Sequence, residues 1–187
     1  MYPLFRLAFQ LWRHRADPPL PLLGMHESRH VCWPWDLDIF LELNNGRTLT
    51  LYDLGRIPWF RRIGLHPVLR QERWQVAIVG ASVRWRRRVH AMERLTMRTR
   101  ALGWDERFLY SEQALWRADG ECASHVLIRA AVSNAQGIVP TARVLAALGH
   151  DAPSPPLPPW AAEWVVAESL RPWPPMAGDA AAPPLSR

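Results

Sequence analysis

Apolar positions along the chain change period several times, and each change predicts a different kind of element. Residues 1–15 place Leu4, Phe5, Ala8, Leu11 and Trp12 on one face of a helix, with Arg6, Arg13, His14 and Arg15 close by. The run Asp17-Pro18-Pro19-Leu20-Pro21 breaks that helix, because proline lacks a backbone donor and restricts its predecessor. Alternation from Glu27 to Trp33 predicts a first strand, stopped by Pro34. From Asn44 to Arg56 the chain reads as a helix capped by Asn44 or Asn45 and ended by Pro58. Its apolar residues Leu49, Leu51, Tyr52 and Leu54 nearly encircle the axis, so the helix should be buried.

The next sixty residues carry four long segments rich in Val, Trp, Leu and Arg: Trp74 to His90, Glu93 to Trp104, Arg107 to Arg117 and Glu121 to Asn134. They predict strands joined as consecutive hairpins, with Asp119-Gly120 as the clearest tight turn. On the last strand Cys122, Val126, Ile128, Ala130 and Val132 share one face, and Thr141 to Leu148 predicts a short closing helix. Beyond Asp151 the composition becomes proline-rich, with two or three helical turns from Trp160 to Leu170 and a terminal MAGDAAAPPLSR. One early strand, a buried helix and a run of antiparallel strands give an α+β class. The expected organisation is an N-terminal helix and linker over 1–22, one domain over 23–150, and a tail over 151–187.

Length and composition narrow the function classes. At 187 residues there is room for one core plus extensions. The two cysteines, Cys32 and Cys122, are far apart and lack CxxC spacing, which fits a reducing cytoplasm and argues against a disulfide framework or a thiolate metal site. No apolar stretch reaches the length of a membrane span, and no leader with a cleavage site is evident. A net charge of +6, carried by arginine, suits an anionic partner: phosphorylated cofactor, membrane headgroup or nucleic acid. The stripe in residues 1–15 is either a peripheral membrane contact or a helix packed on its own domain or on a partner subunit.

The chemistry concentrates in Trp33-Pro34-Trp35-Asp36-Leu37-Asp38-Ile39-Phe40-Leu41-Glu42-Leu43-Asn44-Asn45-Gly46-Arg47-Thr48, continued by Leu49 to Arg56. This segment resembles the thioesterase families related to 4-hydroxybenzoyl-CoA thioesterase and to plant acyl-ACP thioesterases, whose signature is Asp-x-Asp, a short loop, a hydrophobic residue, Asn-Asn and a helix. The resemblance covers about two dozen residues and implies the hotdog fold, an antiparallel sheet wrapped around a central helix. It also implies an acyl-CoA or related thioester substrate, no metal or other cofactor, and a homodimer or dimer of dimers.

Asp38 matches the family's second aspartate, which the resemblance makes the nucleophile or general base, with Glu42 as a second carboxylate. A carboxylate just ahead of a helix N-terminus lies near exposed amides that can hold an oxyanion, here those from Leu43 through Asn44 and Asn45 to Gly46. Three positions depart from the relatives: Glu42 replaces histidine, Phe40 replaces the plant enzymes' asparagine, and Thr48 replaces tyrosine. A non-catalytic module that binds acyl groups or a protein partner is the alternative. In that reading Asp36 or Asp38 caps a turn, and Asn44 or Asn45 caps the helix.

Other clusters add less. Arg84, Arg86, Arg87 and Arg88, followed by Arg94, Arg98 and Arg100 on the next strand, would form a basic ladder if those strands pair, suited to coenzyme A phosphates or to nucleic acid. Nucleic-acid binding ranks last of the three functions. His26, His30 and Cys32 share a strand face, but no carboxylate or second cluster completes a metal site. Ser111, Ser124 and Ser133 lack a nucleophile-elbow context, and no glycine-rich phosphate loop occurs.

Overall fold

A computed structural model of the chain describes residues 2–175; the terminal MAGDAAAPPLSR lies outside the described residues. The chain divides into two compact units, Met1–Pro155 and Pro156–Arg187. The second contains one described helix, Pro159–Ser169, one residue ahead of the segment Trp160 to Leu170 in which the sequence predicts one.

The first unit is an antiparallel sheet curled around one helix. Its strands are β1 (His26–Val31), β2 (Gln75–Trp85), β3 (Arg94–Trp104), β4 (Leu109–Arg117) and β5 (Cys122–Asn134), in the order β1-β3-β4-β5-β2. A two-residue strand β6 (Gly137–Ile138) pairs antiparallel with the end of β5. The helices of this unit are α1 (Leu4–Arg13), α2 (Asn45–Arg62), α3 (Leu65–Glu72) and α4 (Thr141–Ala147). This is the hotdog arrangement.

Strands β3, β4 and β5 are the consecutive hairpins that alternation predicts. At the β4–β5 turn Gly120 adopts φ 86°, a conformation that glycine reaches without steric cost. Strand β2 departs from the expectation. It pairs with β5 at the opposite end of the sheet, so the chain crosses from β2 to β3 over residues 86–93 instead of turning back on itself. Two apolar strands do not specify which partner they take; α2, lying across the concave face, lets β2 close the far edge. The basic ladder across β2 and β3 therefore does not form. Its arginines pair elsewhere: Arg87 with Glu121, Arg98 with Glu27 and Arg100 with Glu112.

Helix α2 buries Leu51, Tyr52, Leu54, Gly55, Arg56, Pro58 and Trp59. It runs through Pro58 to Arg62 and does not stop there. Pro58 forfeits one helical hydrogen bond, but Trp59 (3% exposed) and Ile63 (9%) must reach the second core cluster around Trp74 and Val144, and that burial outweighs the loss. Gly55 allows α2 to cross the sheet closely, since a Cβ there would overlap the Met97 sulfur and crowd the Ser28 hydroxyl. A buried polar chain adds register. Arg56 donates to Gln113 Oε1 at 2.7 Å and pairs with Asp53, while Gln113 Nε2 donates to the Tyr52 carbonyl at 2.9 Å and to Thr99 Oγ1 at 3.0 Å.

Helix α1 packs on this unit through Arg6, Leu7 and Gln10. Leu7 rests on the core and Gln10 is 4% exposed, whereas Leu4, Phe5, Phe9 and Trp12 face out. The apolar stripe is thus not the packing face.

Candidate active site

The segment between β1 and α2 forms a small hairpin. Leu37 and Leu43 make an isolated antiparallel bridge, and the Asp38 N–H donates to the Glu42 carbonyl at 2.9 Å. Leu43 belongs to the core and Leu37 packs against it. Because alternate residues of an extended chain face opposite ways, Asp38 and Glu42 share the other face. The tip, Ile39-Phe40-Leu41, is at least 70% exposed at every position. Leu41 takes φ 58°, a left-handed conformation unusual for leucine.

Asp36, the first aspartate of the motif, is buried at 3% exposure. It accepts from Arg6 at 2.7 Å and from the Trp33 N–H at 3.0 Å, so it is a structural anchor. Asp38 is half-buried, and its Oδ1 accepts the Phe40 N–H at 2.8 Å. It stands at the base of the hairpin, ahead of the first turn of α2. That turn is capped by Asn44, whose side-chain oxygen accepts from Gly46 N at 2.9 Å and Arg47 N at 3.2 Å.

A crevice of about 210 Å³ opens beside the start of α2, lined by Glu42, Leu43, Asn45, Thr48, Trp85, Ser124 and the crossing segment Arg86–Val89. Of the residues selected from sequence, the structure brings Glu42, Leu43 and Asn45 together here, while Asp38, Asn44 and Gly46 are not in its lining. Glu42 pairs with Arg88 at 2.9 Å. Backbone bonds fix the floor: Leu43 N donates to the Val89 carbonyl at 2.8 Å and Asn44 N to the Asp36 carbonyl at 2.9 Å. Two further lining groups, Trp85 and Ser124, carry no motif signal. Trp85 Nε1 lies 3.4 Å from Thr48 Oγ1, and Ser124 Oγ lies 2.8 Å from the Tyr52 hydroxyl. Burial pushes the Tyr52 phenol well above its ordinary range, so it stays neutral. Only the arginine run at 84–88 hinted that this stretch belongs to a site.

The possible metal ligands His26, His30 and Cys32 are enclosed, and His30 Nε2 lies 2.8 Å from Ser28 Oγ. Among the described residues, His14, Asp17 and His26 bring ligand atoms within 4.8 Å of one another. The Arg62 guanidinium already lies 3.0 Å from His26 Nδ1 and 3.5 Å from Asp17, so a cation occupies that cluster.

Residues 32–165, which include this hairpin and crevice and most of the sheet, match the thioesterase-like superfamily. The chain belongs to that superfamily. Protein THEM6 of Xenopus laevis is 31% identical over 124 residues, covering 66% of this chain and 60% of that protein. Protein THEM6 of Danio rerio is 32% identical over 95 residues, covering 50% and 47%. The chain thus spans between 47% and 60% of the length of these two relatives. Among solved structures, the probable thioesterase YbaW of Escherichia coli superposes with a TM-score of 0.62 at 14% identity, covering 66% of this chain and 96% of that one. A DHNA-CoA thioesterase of Staphylococcus aureus gives 0.58 at 10% identity, covering 78% and 92%. At such identities the likeness carries the superfamily's fold.

Proposed function

We propose that this chain hydrolyses an acyl-CoA or related acyl thioester, with Asp38 as nucleophile or general base and Glu42 as its helper. The observation that carries the reading is the crevice at the head of α2, where the Glu42 carboxylate, a helix N-terminus and arginines converge beside the hairpin that bears Asp38. In such a reaction a carboxylate either attacks the thioester carbonyl, giving an acyl anhydride that water then hydrolyses, or draws a proton from a water that attacks that carbonyl; in both, the carbonyl oxygen gains charge and the thiolate leaves and takes up a proton. Of the amides from Leu43 to Gly46, three are committed: Leu43 to Val89, Asn44 to Asp36 and Gly46 to the Asn44 side chain. The Asn45 N–H is therefore our choice of oxyanion donor, aided by the positive end of the α2 dipole. Arg86 and Arg88 are our choice for the coenzyme A phosphates, to which a planar guanidinium is well matched.

The working unit in this proposal is a homodimer, consistent with the family's habit of completing each site across subunits. Supporting it, β2 ends the sheet with Ile78 and Val79 each 43% exposed, and the hairpin tip offers further apolar surface near Asp38. The free thiols of Cys32 and Cys122 suit a cytoplasmic setting.

A second reading, a non-catalytic module that holds acyl groups, draws support from the engagement of both carboxylates, Asp38 with the Phe40 amide and Glu42 with Arg88. CoA release measured over a series of acyl chain lengths, alongside calorimetric binding, separates the two. Turnover supports the hydrolase, binding without turnover supports the module, and neither turnover nor binding overturns both.

A further inference from the structure

Strand β1 is an edge of the sheet, and α1 covers it with Arg6 and Gln10 while Leu7 rests on the core. Gln10 Nε2 donates to the Arg29 carbonyl at 2.9 Å, and Arg6 donates to the Val31 carbonyl at 2.9 Å and to Asp36 at 2.7 Å. These bonds satisfy outward-facing carbonyls of the edge strand, which would otherwise template pairing with another chain. They also fix the rotation of the helix. Its apolar side is turned away from the fold, leaving Phe5 93%, Leu4 67%, Trp12 58% and Phe9 51% exposed. An amphipathic helix ordinarily buries that side.

What surrounds the exposed side is basic. Beside α1 runs a groove of about 760 Å³, in which Phe5, Phe9 and Trp33 are interleaved with Arg13, Arg29 and Arg94, and no carboxylate lines it. The Arg15 guanidinium sits 4.6 Å from the centre of the Trp12 ring. Residues 2–16 contain three arginines and no Asp or Glu. A second copy presenting the same face would set arginine against arginine, which argues against self-docking. Exposed aromatic rings beside guanidinium groups instead match the boundary between acyl chains and anionic headgroups. At about 1.5 Å per residue, ten-residue α1 is far too short to span a bilayer and suits lying along one.

We infer that α1 docks the protein on an anionic lipid surface, with Leu4, Phe5, Phe9 and Trp12 inserted among acyl chains and the arginines around the groove holding headgroup phosphates. This does not rest on the hydrolase reading.

The test is co-sedimentation of the full chain with vesicles of equimolar phosphatidylglycerol and phosphatidylcholine, and with vesicles of phosphatidylcholine alone. The expected result is binding to the anionic vesicles that falls with added salt, and at least tenfold weaker binding to the neutral ones. The double variant Phe5→Ser/Phe9→Ser alters only exposed side chains. It should lose at least tenfold in vesicle affinity while keeping the wild-type circular dichroism and the wild-type midpoint of urea unfolding. A wild-type chain that ignores anionic vesicles would overturn the inference, as would a double variant that binds them equally well. So would a wild-type chain that self-associates through these two residues without binding lipid.

Discussion

The Asp38 N–H and the Glu42 carbonyl meet at 2.9 Å, which makes these two acidic residues a facing pair at the neck of a hairpin. Like charges set opposite each other across two strands repel, and Arg88, paired with Glu42, offsets the repulsion from the crevice side. The arrangement ties the crossing segment to the motif, since Val89 also accepts from Leu43. The proposed chemistry and the proposed coenzyme A contacts are thus mechanically linked.

If Arg86 and Arg88 meet coenzyme A phosphates, the double variant Arg86→Ala/Arg88→Ala should raise KM for an acyl-CoA about tenfold. It should change KM far less for the same acyl group on pantetheine, which lacks the nucleotide phosphates. Steady-state kinetics with both substrates checks this, and equal effects on the two would remove the phosphate role.

The close crossing at Gly55 should be intolerant of any side chain. Gly55→Val must displace the fully buried Met97, and overpacking of this kind costs about 2–3 kcal/mol. Urea unfolding should show that loss, with the reciprocal change Met97→Ala restoring part of it in the double variant.

Arg56 and Gln113 should behave as one unit. Removing Arg56 leaves the enclosed Gln113 carbonyl oxygen without its donor, at a cost of roughly 2–4 kcal/mol. A double-mutant cycle with Arg56→Leu and Gln113→Leu should give a double variant less destabilised than the sum of the singles.

Stability should also fall in mild acid. Burial, above all, holds His26 at about 4 and His30 at about 3, so both are neutral in the folded chain. In the unfolded chain each takes up a proton near pH 6.5. Because the folded values are the depressed ones, their contribution is complete above pH 6.5 and is lost as the pH falls toward 4 and 3. Between pH 6.5 and 5, above the range where unfolded carboxylates titrate, the loss should be roughly 2–4 kcal/mol for the pair. Urea titrations across that window should show the slope, and His30→Gln should make it shallower.

Local pattern carried the fold wherever neighbours in sequence are neighbours in space. The β3–β4–β5 hairpins follow from alternation and from Gly120, and α2 from Asn44 and its encircling apolar residues. Long-range choices were not legible. Nothing local says that β2 closes on β5, that Trp59 and Ile63 carry α2 past Pro58, or that α1 spends its polar residues on the edge of β1. The motif pointed to the hairpin between β1 and α2, beside which the crevice opens. It could not reveal Asp38 turned onto the Phe40 amide, or Trp85 and Ser124 arriving from distant strands, because those placements depend on the crossing segment and the sheet.

The most direct measurement is CoA release by Asp38→Asn beside the wild-type chain, with an acyl-CoA that the wild-type chain turns over. Replacing the proposed nucleophile or base should lower kcat about 10³-fold with little change in acyl-CoA binding, while Glu42→Gln should cost less, about 10–100-fold. An Asp38→Asn chain that releases CoA at the wild-type rate would contradict the account.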